Sequence, residues 1–277
     1  MHKSAHASSS LDEIVEALAP IADEPASACI FLDLDGTLAP IVLQPKSIGI
    51  PGSVAKLVRK LEHLYLTVAV VSGRPATEAK RIMGISELAY IGNHGFETLL
   101  PGHAVVVSDE AQPFVPVIRE MVVYCRSLEE LTEAGVWVED KTATMSLHYR
   151  RAPRPEEAKA LIMEKVVPFL EKKELKYSEG RMVLEVKPPV PVNKGVAVGR
   201  LLDRLDARRA VYMGDDTTDI DALKELRKRR RRQNTVMVGI GVSSPEMPAE
   251  LPRYADLLVD RSSGVETVLQ LLAQEEL

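Results

Sequence analysis

Five residues, Ala28-Cys29-Ile30-Phe31-Leu32, run apolar with no polar alternation and lead into Asp33-Leu34-Asp35-Gly36-Thr37. A short run of this kind, closed by a glycine, predicts a central strand of a parallel sheet, buried on both faces. Helices must then cover both sides of that sheet, which commits the chain to an α/β architecture. Two aspartates stand at the C-terminal end of the strand, the edge where open α/β sheets place their ligands. Carboxylates at such an edge are costly unless something positive neutralises them, most simply a divalent cation. The plainer reading is an acidic turn, for which the same residue types are ordinary.

The flanking segments support the α/β reading. Residues 51–64 place Val54, Leu57, Val58, Leu61 and Leu64 at helical spacing, with Pro51 near the start. Residues 66–71 predict a second buried strand ending in Ser72-Gly73-Arg74-Pro75, followed by a helix to Met83. Residues 89–91 predict a third strand, closed by Gly92-Asn93-His94-Gly95. The rhythm then changes to helix 114–131, strands 136–139 and 144–149, helix 155–171, and strands 175–177 and 182–186. This α+β block ends in the stiff Lys187-Pro188-Pro189-Val190-Pro191 segment and reads as an insertion. The α/β rhythm resumes with helix 194–205, strand 210–213 ending in Gly214-Asp215-Asp216, helix 217–227, strands 236–239 and 257–258, and helix 265–272. The expected fold is a doubly wound, Rossmann-like parallel-sheet core, residues 11–106 and 191–277, with an inserted α+β domain, residues 107–190. Residues 1–10 read as a disordered leader, and residues 11–18 as a short helix outside the core.

At 277 residues with 45% hydrophobic content the chain can support two such domains. A net charge of −5 gives no global case for nucleic acid. The basic run 227–232 reads as the solvated end of a helix, since no aromatics accompany it. Two cysteines cannot form a disulfide framework, which points to a reducing cytoplasm. No apolar run approaches the roughly 18 residues of a membrane span, and the leader lacks the apolar centre of a secretory signal.

Parallel strands present their C-terminal ends on one edge, so Asp33/Asp35/Thr37, Ser72-Gly73-Arg74, Gly92-Asn93-His94-Gly95 and Gly214-Asp215-Asp216 should converge there, with Lys194 opening a nearby helix. Carboxylates without histidine or cysteine companions suit Mg2+ rather than zinc, and Mg2+ beside a lysine suits a phosphate dianion. Each member alone has a plainer reading: Ser72-Gly73 as a turn, Lys194 as a surface lysine, Asp215-Asp216 as a helix cap, Asp219 and Asp221 as first-turn acids.

In order, Asp33-Leu34-Asp35-Gly36-Thr37, Ser72, Lys194 and Gly214-Asp215-Asp216 resemble the four motifs of the haloacid dehalogenase-type phosphatases, and the insertion resembles their C2-type cap. The resemblance implies that Asp33 is a nucleophile forming an aspartyl-phosphate and that Asp35 is the acid and base. It implies Mg2+ held by Asp33, Asp215 and the backbone carbonyl of Asp35, and phosphoryl oxygens held by Ser72 and Lys194. Gly36, Thr37, Gly73, Arg74, Asp216 and Asp219 would support the site, with Asp216 acting from behind or orienting Lys194.

In the insertion, Ser146, His148 and Arg150 alternate on one face of a strand, and Arg181 and Glu185 share a side of another. Surface ion pairs across a sheet explain such charges equally well. Trp137 invites a reading as a sugar-stacking platform, but a single tryptophan on an alternating strand reads more readily as core of the inserted domain. Val138-Glu139-Asp140-Lys141, His148-Tyr149-Arg150, Gly180-Arg181, Leu184-Glu185-Val186 and Asn193-Lys194-Gly195 resemble the trehalose-6-phosphate phosphatases, as do Asn93-His94-Gly95 and Gly214-Asp215-Asp216-Thr217-Thr218-Asp219. The resemblance implies that Glu139, Lys141, Arg150, Arg181 and Glu185 grip the glucose rings, with Asn93 and His94 at the mouth. It implies a cytoplasmic monomer with a small-molecule substrate, no nucleic acid or membrane partner, and cap closure over the sugar. Another sugar phosphatase of sucrose- or mannosylglycerate-phosphate type, or a non-catalytic sugar-phosphate sensor, are the alternative readings.

Overall fold

The computed structural model describes residues 8–40, 49–180, 182–245, 247–261 and 263–275. The apolar run forms a strand, Ala28–Asp33, in which every residue is buried. It belongs to the first of two units, Met1–Val106 with Val192–Leu277; the second is Val107–Pro191. The first unit begins with α1 (Leu11–Ala22), β1 (Ala28–Asp33), α2 (Gly52–Leu64), β2 (Thr67–Val71), α3 (Ala76–Met83), β3 (Ala89–Gly92) and β4 (Glu97–Leu99). A two-residue strand, β5 (Val106–Val107), lies at the boundary. The second unit holds α4 (Val115–Ser127), α5 (Glu129–Glu133), β6 (Trp137–Asp140), β7 (Met145–His148), α6 (Pro155–Lys165), α7 (Val167–Lys172), β8 (Lys176–Gly180) and β9 (Val183–Lys187). The first unit resumes with α8 (Lys194–Arg204), β10 (Arg209–Gly214), α9 (Asp219–Arg229), β11 (Val236–Ser243), α10 (Leu251–Tyr254), β12 (Leu257–Asp260) and α11 (Gly264–Leu272).

The large sheet has the order β12-β11-β10-β1-β2-β3-β4-β5. From β12 to β3 the pairs are parallel, and β4 turns back antiparallel on β3. Phe31 in β1 faces Tyr212 of β10 on one side and Ala69 of β2 on the other. The chain winds outward from β1 to β3, then returns to the far side of β1 and winds outward again. That reversal at β1 is the point where an open sheet leaves a crevice beyond its strand ends. Alternate residues of β1 feed two cores: Ala28, Ile30 and Leu32 pack with α1, α2, α3 and α11, while Cys29 and Phe31 pack with α8, α9 and α10. This two-sided burial is what an unbroken apolar strand requires.

Several expectations are corrected. Helix α1 runs through Pro20 to Ala22, and its Ile14, Leu18 and Ile21 are core residues rather than lying outside the core. A capping box between Ser10 and Glu13 starts it, satisfying end groups the helix cannot satisfy itself. Within the expected leader, Ser9 donates its N–H to Leu258 O at 2.7 Å and accepts from Leu258 N at 3.1 Å, while residues 1–7 lie outside the described residues. The basic run is not wholly solvated, because Arg229, at the end of α9, is buried against α8.

In the second unit an antiparallel sheet, ordered β6-β7-β9-β8, packs one face against α4 to α7. Val138, Met145, Leu147, Leu184 and Val186 point inward, leaving Glu139, Ser146, His148 and Glu185, with Trp137 and Val183, on the other face. Trp137 is therefore not core. Val136 and Val138 are buried on either side of it, so strand alternation sends Trp137 to the open face, where it is 59% exposed. Among the described residues no helix is long and apolar enough to cross a membrane.

Candidate active site

The rim of the first unit is built from strand ends. Asp33 is the last residue of β1, Ser72 follows β2, Asp215 follows β10, and Lys194 is the first residue of α8. Asn193 caps α8, its Oδ1 accepting from Val196 N at 2.8 Å, which fixes the turn that carries Lys194. The Lys194 ammonium, only 2% exposed, donates to Asp33 Oδ1 and Asp219 Oδ1, each at 2.6 Å. Both Asp219 oxygens are engaged further: Oδ1 accepts from Tyr212 OH at 2.5 Å, and Oδ2 from Asp216 N at 2.8 Å and Asp215 N at 3.0 Å. Asp219 thus orients the lysine and shapes the loop after β10. Asp216, expected to support the site from behind or to orient Lys194, is exposed, and its carboxylate accepts from the neighbouring Thr217 N. The first residue of α9 reaches back toward the strand end, whereas Asp216, three positions earlier in the loop, is exposed.

Asp33, Asp215 and Asp219 bring carboxylate oxygens within 4.8 Å of one another. Lys194 and Arg261 are the cations that touch them among the described residues. Arg261, just past β12, donates to Asp215 Oδ2 at 2.9 Å and to Gly36 O at 2.7 Å, tying the loop after β1 to that after β10. Sequence reasoning missed it; the signal was available, since it is a charged residue at one more strand end. Three buried acids against two bases leave the cluster short of positive charge. Two buried oxygens, Asp33 Oδ2 and Asp215 Oδ1, have no hydrogen-bond partner among the described residues. Such atoms are costly to leave unsatisfied. An all-oxygen donor set of this kind fits a hard divalent cation. Asp219, with both oxygens committed, is the weaker candidate as a ligand.

Electrostatics follow from this crowding. Burial, then the charges of Asp219 and Asp215, push the Asp33 carboxyl well above its ordinary value, with Lys194 pulling the other way. Burial and Asp219 raise Asp215 to about 6 against the pull of Arg261. Burial works to lower Lys194, but the carboxylates of Asp219 and Asp33 outweigh it and hold the amine protonated.

Asp35 projects elsewhere. Arg74 grips its carboxylate with a fork, Nε to Oδ2 at 2.7 Å and Nη2 to Oδ1 at 2.9 Å, and also binds Glu78 at 2.6 Å. Ser72, 1% exposed, accepts with its Oγ from Arg74 N at 3.1 Å. Gly36 has φ +97°, and a Cβ there would fall 2.2 Å from Asp215 Oδ2, so no side chain fits. A Cβ on Gly73 would strike the His94 ring at 2.4 Å; the missing side chain lets that ring lie against the loop. Thr37 is buried with Oγ1 unpartnered among the described residues. Asn93, expected at the substrate mouth, is fully buried instead: its Nδ2 donates to Glu97 Oε1 at 2.7 Å, and Glu97 Oε2 accepts from Ala76 N at 3.0 Å. It locks the β3–β4 turn onto the start of α3, while the neighbouring His94 keeps partial exposure.

On the open face of the second unit's sheet, Ser146 faces Glu139 on one side and Glu185 on the other. Glu139 Oε2 lies 2.8 Å from His148 Nε2 and 3.7 Å from Lys141 Nζ. Arg150 is exposed just beyond β7, and Arg181 lies outside the described residues.

A family model described as trehalose-phosphatase matches residues 31–255. A probable trehalose-phosphate phosphatase G of Arabidopsis thaliana is 33% identical over 255 residues, covering 82% of this chain and 64% of its own length. The trehalose 6-phosphate phosphatase RA3 of Zea mays is 35% identical over 240 residues, 80% of this chain and 63% of its own. The chain thus spans a little under two thirds of the length of these relatives. Among solved structures, the C-terminal domain of a C. albicans trehalose-6-phosphate phosphatase superposes with a TM-score of 0.73 at 20% identity, over 99% of this chain and 100% of that one. A trehalose-6-phosphate phosphatase related protein gives 0.72 at 22%, over 89% and 97%. These superpositions bear on the fold.

Proposed function

The chain belongs to the trehalose-phosphatase family, and from that premise we propose that it hydrolyses trehalose 6-phosphate to trehalose and phosphate, with Mg2+ as cofactor and Asp33 as nucleophile. The observation that carries the reading is Lys194, buried and bonded to Asp33 Oδ1, while Asp33 Oδ2 has no partner among the described residues at the same rim.

Mg2+ would be held by Asp33 and Asp215, with the Asp35 backbone carbonyl, where it would supply the missing positive charge, keep Asp33 ionised and neutralise the phosphoryl group. The chain's own residues do the rest. Lys194 and Ser72 bind phosphoryl oxygens and hold phosphorus in line with Asp33. A carboxylate oxygen of Asp33 attacks phosphorus, and the bond to the sugar oxygen breaks. Asp35 gives its proton to that oxygen, so it must reach the sugar protonated and give up at least one bond to Arg74. It then accepts a proton from the water that attacks the aspartyl-phosphate, releasing phosphate and restoring the Asp33 carboxylate.

For the sugar we assign Glu139, Lys141, Arg150, Arg181 and Glu185, a mixture of acceptors and donors that suits hydroxyl groups. His94 lines the approach to the phosphate. Two buried free thiols, Cys29 and Cys125, accord with a cytoplasmic chain. Phosphate release from a panel of sugar phosphates, with Mg2+ and with EDTA, tests the reading. Trehalose 6-phosphate should be preferred over sucrose 6-phosphate and glucose 6-phosphate, only with Mg2+, and Asp33→Asn should abolish turnover. Equal rates across the panel would end the substrate assignment, and an active D33N enzyme the mechanism.

A further inference from the structure

The open face of the second unit's sheet is laid out in two rows. Strand register places Trp137, His148 and Val183 side by side across β6, β7 and β9. Two residues along each strand, Glu139, Ser146 and Glu185 form a second row, with Ser178 of β8 beyond. Strand geometry separates the rows by about 7 Å. The first row is flat and mostly apolar; the second is carboxylate and hydroxyl.

Trp137 is the most exposed aromatic side chain of this unit, 59% open, with Val136 and Val138 buried on either side. It is not loose. Its ring stacks on His148, centroids 4.8 Å apart and planes 26° apart. His148 is itself fixed by Glu139 at 2.8 Å, and Glu139 by Lys141 at 3.7 Å. A large apolar surface that is both exposed and held rigid has the properties of a binding platform. The chemistry of its neighbours narrows the occupant. A pyranose ring offers C–H groups on its face and hydroxyls around its edge. The positive C–H edges suit the negative face of an indole, and the hydroxyls suit the acceptors one row away.

We propose that Trp137, backed by His148, is a stacking platform for a glucose ring of the substrate, with Glu139 and Ser146 reading the hydroxyls of the same ring. The assignment rests on the sugar-phosphate reading above and adds an aromatic subsite to it.

Trp137 is the sole tryptophan of the chain, so its emission reports this one position. Titration of the whole protein with trehalose should change that emission saturably, while glycerol at equal concentration should not. Trp137→Ala should lower the preference for trehalose 6-phosphate over p-nitrophenyl phosphate, as a ratio of kcat/KM values, about tenfold, chiefly through KM. Trp137→Phe, which keeps a smaller platform, should recover most of that ratio. A W137A enzyme with undiminished preference, or an emission indifferent to trehalose, would overturn the platform. If the wild-type enzyme hydrolyses the aryl phosphate but no sugar phosphate, the function fails separately. The fluorescence titration then still decides the subsite, a saturable response upholding it and a flat one removing it.

Discussion

Lys194 carries the charge balance of the rim. Its ammonium is shared by two buried carboxylates, Asp33 and Asp219, so its removal strands both. Lys194→Met should destabilise the protein by about 3–5 kcal/mol as well as inactivate it, because a buried ion pair broken on one side leaves uncompensated charge. A urea midpoint close to that of the wild type would show that the acids are neutralised in another way. Gly36→Ala should lower kcat/KM by about 10²-fold or more, since the added methyl needs the space of Asp215 and shifts it by an ångström or more. Full activity in G36A would mean that the Asp215 carboxylate is free to stand elsewhere. Asp215 also gives a pH signature in EDTA. A carboxyl raised from 3.8 to about 6 binds its proton more tightly folded than unfolded. Its contribution is complete below the unfolded value and is lost as pH climbs through the folded one. Between about pH 4 and about pH 7, the wild type should lose up to ~3 kcal/mol relative to Asp215→Asn. Parallel pH–stability curves for the two proteins would contradict the raised value.

At the scale of elements, α8 and α9 are braced by one side chain. Arg229 binds both Asp203 oxygens at 2.7 and 2.8 Å, Glu225 at 2.7 Å and the Gly199 carbonyl at 2.9 Å. Arg229→Gln should therefore cost about 3 kcal/mol, whereas Arg231→Gln, at an exposed position, should stay within about 0.5 kcal/mol. Equal effects in urea unfolding would return the basic run to its first reading as a uniform solvated face. That run shows where a sequence stops being readable. Which of several consecutive arginines turns inward depends on the phase of α9 against α8, a tertiary fact. β1 was legible because an apolar strand buried on both faces admits little else, and Asp33, Asp215 and Lys194 followed from the rule that parallel strand ends share an edge. Asp216 and Asp219 were harder to sort, because the turn between β10 and α9 decides which acid faces back. Asn93 looked like a ligand residue because its burial depends on Glu97, in a strand of three residues too short to announce itself. Trp137 was open to a better reading: the parity of Val136 and Val138 already points it away from the core.

Across the whole molecule, each unit has its own hydrophobic core, and the carboxylate cluster belongs to the first. A cation bound there stabilises the folded first unit by mass action, about 1.4 kcal/mol at ten times its Kd. Native-state hydrogen exchange with and without Mg2+ should show added protection at β1 and β10 and little at β7 and β9. Uniform protection would show the two cores to unfold as one. The order in which the strands are made bears on how the chain reaches this state. β2 follows β1 closely in the chain, whereas the partner on the other edge of β1, β10, lies far downstream, with Ala28 opposite Arg209. At roughly 5–20 residues per second, the ribosome takes on the order of ten to forty seconds to cross that gap. Much of the delay is the translation of the second unit, which can fold meanwhile. An unpaired edge of an apolar strand is a template for pairing with a neighbouring chain. The insertion that supplies a second domain thereby lengthens the interval between the synthesis of β1 and that of its second partner.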